Sequence, residues 1–177
     1  MLTLDEGVAT LRTRSGREIT DRFPELDVNE SLRAACGVFD GELVCLDDAG
    51  RPVFGDVIRR FHGTGGPAAE RAAQKRPAVL MLFDLPYLDG RDLTAEPLHR
   101  RRAWWEDLLV PGGSIRFSEA VEDGSALFEA SDRMGLEGIL SKRADSSYRS
   151  GMRVGAWLKV KHRRTMDCLV VGFTEGK

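Results

Sequence analysis

A run of six apolar residues at positions 78–83 (AVLMLF) constrains the fold of this chain more than any other stretch. An amphipathic strand with one solvent-exposed face would place a polar residue at every second position. An unbroken apolar run of this length instead predicts a strand that is buried on both faces. With 177 residues, the chain is long enough to close a single core around such a strand.

Further strands and helices are predicted on either side of this run. Residues 1–4 resemble the interior of a strand, and alternation or apolar runs predict strands at residues 8–14, 38–46, 115–117, 138–143, 157–161 and 167–173. Helices are predicted at residues 67–75, at residues 94–109 with Thr94 as the N-cap, and at residues 124–134 with Gly135 as the stop. Because strands and helices do not alternate strictly, the pattern favours an α+β fold with antiparallel sheets.

Composition excludes several classes of protein. The net charge of −2 gives no bulk attraction to nucleic acid, so any basic surface must be local. The three cysteines are scattered and odd in number, which predicts reduced thiols and a cytoplasmic location. The three histidines do not pair with them at metal-ligand spacing, and we predict no zinc site. No apolar run approaches the ~20 residues of a membrane span.

The sequence WLKVK at residues 157–161 predicts paired lysines on one strand face. Lys159 and Lys161 point the same way, and Leu158 and Val160 are expected to point into a core. Two like charges ~7 Å apart repel one another unless an anion lies between them, such as a polyphosphate or a nucleic-acid backbone. The alternative is a strand face that is simply solvated.

Two glutamates at strands allow both structural and functional interpretations. Glu137 precedes the predicted strand 138–143, where an acid is either merely exposed or faces the paired lysines and holds a divalent metal. Glu42 lies inside an apolar strand, where an unpaired carboxylate is costly to bury. Either an arginine pairs with it, or it binds a sugar hydroxyl or a metal.

Aromatic and arginine side chains give weaker signals. Phe83 ends the buried run and either packs in the core or stacks on a nucleobase at the lip of a pocket. Arg14 is either a surface arginine or a bidentate phosphate ligand. We predict core packing for Trp104 and Trp105, and a solvated helix face for residues 100–102, with contact to DNA as the alternative.

The order of four motifs is more specific than any one of them. DGELV, LFDLPYLDG, EGILSKR and SxYRSGxRxGxWLKVK follow one another as in the adenylation domain of ATP-dependent DNA ligases, which this chain resembles from RTRSGREITDRFPEL to DCLVVGF. The ligase module of bacterial end-joining enzymes is the most similar group. The resemblance implies a nucleotidyltransferase fold of class α+β, in which two antiparallel sheets flanked by helices surround an ATP cleft.

The resemblance also implies roles for individual residues. Glu42 would contact the ribose and Phe83 would stack on adenine, while Glu137 would help to hold Mg²⁺ or Mn²⁺. Arg14 matches an arginine that faces the nick phosphate. Together with Glu42 and Phe83, three lysines complete the implied ATP contacts: Lys142, Lys159 and Lys161.

The family chemistry proceeds in three steps. A lysine attacks the α-phosphate of ATP and leaves lysyl-AMP, AMP passes to the 5′-phosphate at a nick, and the 3′-hydroxyl displaces AMP to seal the strand. The implied partners are nicked or broken double-stranded DNA and end-joining repair proteins. The attacking amine must be deprotonated, which nearby positive charge favours.

This sequence departs from the family at its most reactive position. The nucleophilic lysine lies in a K-x-D-G motif, but no lysine precedes Lys75 and none of the five lysines lies in such a motif. We therefore expect residues 1–177 to form a partial adenylation domain that lacks the nucleophile segment and the OB-fold, and not to self-adenylate. The alternative is a non-catalytic remnant that binds nucleotide or DNA. An RNA ligase or capping-type enzyme shares the fold but matches YRSGxRxGxWLKVK less well.

Overall fold

The structure is a computed structural model that describes residues 1–152, 155–163, 165, 169, 171 and 172. Of the strand predicted at residues 167–173, only residues 169, 171 and 172 are among those described. Cys168 lies outside the described residues. Among the described residues, no helix has the length and apolar content needed to cross a membrane.

A six-stranded sheet forms the larger part of the molecule, in the order β2-β1-β3-β4-β5 with β6 paired to β4. Its strands are β1 (Leu2–Asp5), β2 (Val8–Leu11), β3 (Cys36–Cys45), β4 (Ala78–Leu88), β5 (Arg91–Asp92) and β6 (Ile115–Phe117). The expectation of purely antiparallel sheets is wrong at one place, because β6 runs parallel to β4. The segment between them contains two helices, and a crossover of that length can return a strand in the same direction, which a hairpin cannot.

The apolar run is the central strand that the sequence predicts, but the expected burial on both faces is wrong, because Met81 and Phe83 on one face are only half-buried. In β4, Leu80, Leu82 and Leu85 are at most 2% exposed, and they meet Leu2 and Phe39 of the neighbouring strands in one core. The strand continues past the apolar run to Leu88 because Asp84, its first charged residue, is buried against a partner on a helix. A polar residue therefore does not end the strand.

The helices agree with the sequence in part. They are α1 (Val28–Ser31), α2 (Phe54–His62), α3 (Pro67–Lys75), α4 (Leu98–Ala103), α5 (Trp105–Leu108) and α6 (Gly124–Arg133). The prediction for α3 is confirmed at both ends, but α2 was not predicted. The N-cap predicted at Thr94 is wrong: its hydroxyl donates to Asp92, and α4 begins only after Pro97. Trp105 is buried, as predicted for this pair.

A second sheet pairs β7 (Gly138–Lys142) with β8 (Trp157–Lys161) in antiparallel register. The expectation that Leu158 and Val160 point into a core is wrong, since they are 57% and 41% exposed. The described part of this sheet has two strands, and α6 packs mainly against β7. Strand alternation predicts which residues share a face but not whether a second layer covers it.

Candidate active site

Glu137 and the two lysines of β8 form one ion-pair cluster. Lys159 Nζ lies 2.7 Å from Glu137 Oε2, and Lys161 Nζ lies 2.5 Å from Glu137 Oε1. Gly138 pairs with Lys161, so Glu137 lies at the start of β7 beside the end of β8 that carries the lysines. The carboxylate therefore stands between two ammonium groups that would otherwise repel each other.

The cluster changes the titration of its members. Hydrogen bonds from Lys159 and then from Lys161 lower the pKa of Glu137 to about 2. The hydrogen bond to Glu137 raises the pKa of Lys159, and the carboxylate of Glu42 contributes to that increase. One negative and two positive groups leave a net positive charge on an exposed face. Such a face attracts an anion with more than one negative charge.

Gly138 allows this geometry. Its φ is +147°, and a Cβ atom there would lie 2.0 Å from the carbonyl oxygen of Val160. Only glycine avoids both the strained backbone and the clash. The main chain of Glu137 is fixed from the opposite strand, since the amide of His162 donates to its carbonyl over 2.9 Å. A glycine at position 138 is thus required for the close approach of β7 and β8.

A second cluster places Lys142 between two aromatic rings. Its Nζ lies 4.1 Å from the ring centroid of Phe83 and 3.9 Å from that of Trp157. The two rings meet edge to face, with centroids 5.8 Å apart. Lys142 pairs with Trp157 across β7 and β8, so this cluster lies on the same sheet face as Lys159. Burial lowers the pKa of Lys142 to about 8, so a substantial fraction is the free amine at mildly alkaline pH.

The strand that carries Phe83 is anchored by a buried ion pair next to it. Arg101 of α4 donates to both carboxylate oxygens of Asp84, over 2.7 and 2.9 Å, and both side chains are fully buried. Arg101 also donates to the carbonyl of Ser146, which ties down the loop before Tyr148. The predicted solvated helix face at residues 100–102 is therefore wrong for Arg101, whose partners come from distant parts of the chain.

Tyr148 and Arg14 line an open cavity of about 750 Å³ beside these clusters. The hydroxyl of Tyr148 donates to Asp40 over 3.1 Å, and burial together with that carboxylate raises the pKa of the phenol. Arg14 is exposed and, within the described structure, makes no hydrogen bond or ion pair. Trp157 lines the same cavity and connects it to the Lys142 cluster.

Glu42 lies in β3 next to an irregularity in the sheet. The pairing of β3 with β4 shifts register around Asp40 and Gly41, where a Cβ on Gly41 would lie 2.8 Å from the Met81 carbonyl oxygen. Glu42 is exposed, and the described residues offer it no arginine partner. The structural alternative of a buried Arg–Glu pair is therefore wrong for this residue.

The predicted site residues fall into two groups. Phe83, Lys142 and the cluster of Glu137 with its two lysines meet on one face of the second sheet, whereas Arg14 lies in the adjoining cavity. Among the described residues, no group of three or more His, Cys, Asp or Glu side chains could hold a metal. Sequence reasoning did not single out Asp84, Arg101 or Tyr148. Asp84 had one available signal, a carboxylate directly following a buried apolar run.

Comparison with known families defines the class of this chain. Residues 1–161 match the model of the ATP dependent DNA ligase domain, so the chain belongs to that family. Its fold is also that of solved ligase domains. It superposes with a TM-score of 0.71, at 33% identity, on a chain described as "mycobacterial DNA ligase D complexed with ATP and MES", covering 91% of this chain and 50% of that one.

Sequence relatives name the similar proteins more narrowly. The chain is 36% identical over its whole length to the multifunctional non-homologous end joining protein LigD of Pseudomonas aeruginosa, of which it covers 20%. It is 30% identical to a DNA ligase of Pyrobaculum calidifontis, with 98% of this chain and 32% of that protein covered. The chain thus spans about a fifth to a third of these curated relatives. The α+β class and the ligase family predicted from the motifs are confirmed.

Proposed function

We propose that this chain is the ATP-binding part of a DNA ligase adenylation domain that acts on breaks in double-stranded DNA. The observation that carries the proposal is the convergence of Phe83, Lys142 and the Glu137–Lys159–Lys161 cluster on one sheet face. An aromatic ring next to a row of ammonium groups offers the two surfaces that a nucleoside triphosphate needs, one for the base and one for the phosphates.

The residues present fit the parts of ATP. The half-buried ring of Phe83 offers a face for adenine, and exposed Glu42 in β3 lies near enough to influence Lys159, as a ribose ligand between base and phosphates would. Lys159 and Lys161 would bind the phosphates once they exchange Glu137 for the nucleotide. Glu137 raises the pKa of Lys159, so this lysine keeps its charge at neutral pH and releases no proton in the exchange.

A divalent cation would be held by Glu137. Its carboxylate is ionised over the physiological range, because its lysine contacts lower its pKa to about 2. Oxygen ligands of this kind suit Mg²⁺ or Mn²⁺, with the phosphate oxygens of the nucleotide supplying further ligands. When bound, such an ion neutralises phosphate charge during phosphoryl transfer.

The chain itself supplies no K-x-D-G lysine, so we propose that it binds ATP without forming lysyl-AMP. Formation of the DNA-adenylate and sealing of the nick would depend on a nucleophile outside these 177 residues. The second candidate, a non-catalytic nucleotide- or DNA-binding protein, is favoured by the same missing motif. The two candidates share the ATP site and differ in whether an added K-x-D-G segment and OB-fold restore ligation.

The proposal is tested by ATP binding to the chain with Mg²⁺, measured by calorimetry. We expect Phe83→Ala and the double variant Lys159→Ala, Lys161→Ala each to weaken binding at least tenfold, since each removes one of the two recognition surfaces. Lys75→Ala removes a lysine of α3 that does not line the cavity of Arg14 and Trp157, and it should leave ATP affinity unchanged. Equal affinity in all four proteins would reject the ATP site.

Covalent transfer is measured separately with ATP labelled at the α-phosphate. We expect no labelled protein after denaturation, because none of the lysines lies in K-x-D-G. A label that survives denaturation would overturn this expectation and direct attention to Lys142, the lysine whose pKa is lowered to about 8. Its loss in Lys142→Met would then identify the nucleophile.

A further inference from the structure

A cavity of about 450 Å³ lies between α2 and α3, lined by residues other than those of the proposed ATP site. Its walls come from both helices and from the loop that joins them, and it is open to solvent. Five of its lining residues are basic and one is acidic: Arg22, Arg59, Arg60, Lys75 and Arg76, with Asp56. This excess is unusual in a chain whose net charge is −2.

Ion pairs inside the cavity leave part of that charge uncompensated. Asp56 binds both Arg59 and Arg76, over 2.6 and 2.9 Å, so one carboxylate serves two guanidinium groups. Arg60 is paired separately with Glu25. Within the described part of the chain, exposed Lys75 makes no hydrogen bond or ion pair. The cavity therefore retains a net positive charge that can attract an anion.

A buried donor also lies at this cavity without a partner. Nε of Arg22 is inaccessible to solvent and donates no hydrogen bond within the described structure. The distance from this Nε to the carboxylate oxygen Oδ1 of Asp21 is 3.7 Å, which is too long for a hydrogen bond. Unsatisfied buried donors are uncommon in native proteins and mark places where an acceptor is missing.

The remaining lining indicates what kind of anion fits. Among the described residues that line the cavity there is no aromatic side chain, so no ring is available to stack on a base. Three alanines of α3 provide a small apolar surface instead: Ala68, Ala69 and Ala72. Cations beside a small apolar surface suit a ligand that is built of phosphates and sugars. The ligand would thus be recognised by its backbone and not by its bases.

A turn connects this cavity to the one that contains Arg14. Thr13 and Arg17 close the turn through a backbone hydrogen bond of 2.9 Å, with Arg14 between them. Arg14 lines the cavity of about 750 Å³ beside the proposed ATP site. Arg17 donates over 2.5 Å to the carbonyl of Phe61, which also accepts a hydrogen bond from Arg22. The two basic surfaces are therefore neighbours. Phosphates along one DNA strand recur about every 3.4 Å of helix axis, so one strand can reach both.

We propose that the α2–α3 cavity binds the phosphodiester backbone of double-stranded DNA at a position away from the break. The inference rests on the proposed function, which supplies DNA as the ligand, and it adds a contact that is independent of base sequence and of the nick. Lys75 is the exposed residue that makes this contact, and the other cations of the cavity add to its positive charge: Arg22, Arg59, Arg60 and Arg76. The contact adds to the protein's hold on the duplex without depending on the nick.

The test measures binding of the full 177-residue chain to a nicked duplex and to the same duplex without a nick, from about 50 to 200 mM salt. We expect Lys75→Ala to weaken binding to both duplexes equally, by about two- to fivefold. The slope of log K against log salt should fall by about 0.9, the value for one lost phosphate contact. Lys75→Glu should weaken both further.

Arg71→Ala is the matched control, because Arg71 is an exposed cation of the same helix that does not line the cavity. It should change neither affinity nor slope. An unchanged slope in Lys75→Ala, an equal loss in Arg71→Ala, or no binding of the unmodified chain to either duplex would each overturn the proposal. Measurement of ATP binding by the same proteins separates the two proposals. A chain that binds ATP but neither duplex would reject only the DNA contact proposed here. A loss of ATP affinity in Lys75→Ala would show that the cavity binds the phosphates of ATP instead.

Discussion

Asp84 and Arg101 form a doubly hydrogen-bonded ion pair that is wholly removed from solvent, one residue away from Phe83. Two opposite charges in such a place compensate each other's loss of hydration only while both are present. The pair fixes α4 against β4, and Arg101 extends the connection to the loop at Ser146. The position of the Phe83 ring therefore depends on a helix that does not itself contribute to the candidate site.

We expect Arg101→Ala to lower the free energy of unfolding by about 3–5 kcal/mol, because it leaves the Asp84 carboxylate buried without a partner. Arg100→Ala on the same helix removes an arginine that is 70% exposed and lies 3.8 Å from Glu96. That control should change stability by less than about 1 kcal/mol. Urea unfolding of the three proteins measures the difference, and equal losses would contradict a special role for the buried pair.

Gly138→Ala should separate Glu137 from its two lysines. The new Cβ would lie 2.0 Å from the Val160 carbonyl oxygen at a φ of +147°, so β7 must move away from β8. Backbone strain alone should lower the free energy of unfolding by about 1–3 kcal/mol, and ATP affinity should fall with it. Gly155→Ala, where a Cβ has open space around it, is the control. Wild-type ATP affinity in Gly138→Ala would show that the cluster is not needed.

Glu137→Gln should have opposite effects on ATP affinity with and without divalent metal. Without metal, the substitution frees Lys159 and Lys161 from their carboxylate partner, so affinity in EDTA should rise several-fold. With Mg²⁺, the variant lacks the proposed metal ligand and should gain little affinity from the ion. Glu122→Gln, at an exposed position outside the site, should behave as the unmodified chain. The same metal dependence in both variants would rule out Glu137 as the ligand.

The pKa of Lys142 predicts a change of stability with pH. It is about 8 in the folded chain, against 10.5 for an unperturbed lysine. Between these values the unfolded chain binds more protons, so this residue makes the free energy of unfolding rise with pH, by up to about 3 kcal/mol. Below pH 8 that gain is absent because both states are protonated. In Lys142→Met the rise between pH 8 and 10.5 should be smaller by that amount; identical pH curves would contradict the lowered pKa.

The sequence predicts those features that depend on local periodicity. Alternation in WLKVK places both lysines on one face, and the structure confirms it, with Glu137 between them. The apolar run predicts the central strand, although one of its faces, with Met81 and Phe83, is only half-buried. The ligase family is identified from the order of motifs, which no single residue reveals.

Features that depend on distant partners could not be predicted in this way. Arg101 has the same sequence environment as its exposed neighbour Arg100, and only the position of Asp84 distinguishes them. Leu158 and Val160 alternate like core residues, but whether a layer covers them is a property of the whole fold. The parallel pairing of β6 depends on the path of two helices, which leaves no trace in its three residues.

The ammonium group of Lys142 lies over one face of the Phe83 ring, so a base can stack on that face only after displacing it. Adenosine would displace a favourable cation–ring contact and offer the ammonium nothing in return. ATP carries negatively charged phosphates, with which the displaced ammonium group can form an ion pair. A base that stacks on this face of Phe83 would therefore bind better as part of ATP than as adenosine, because only ATP offers the displaced ammonium group a new partner.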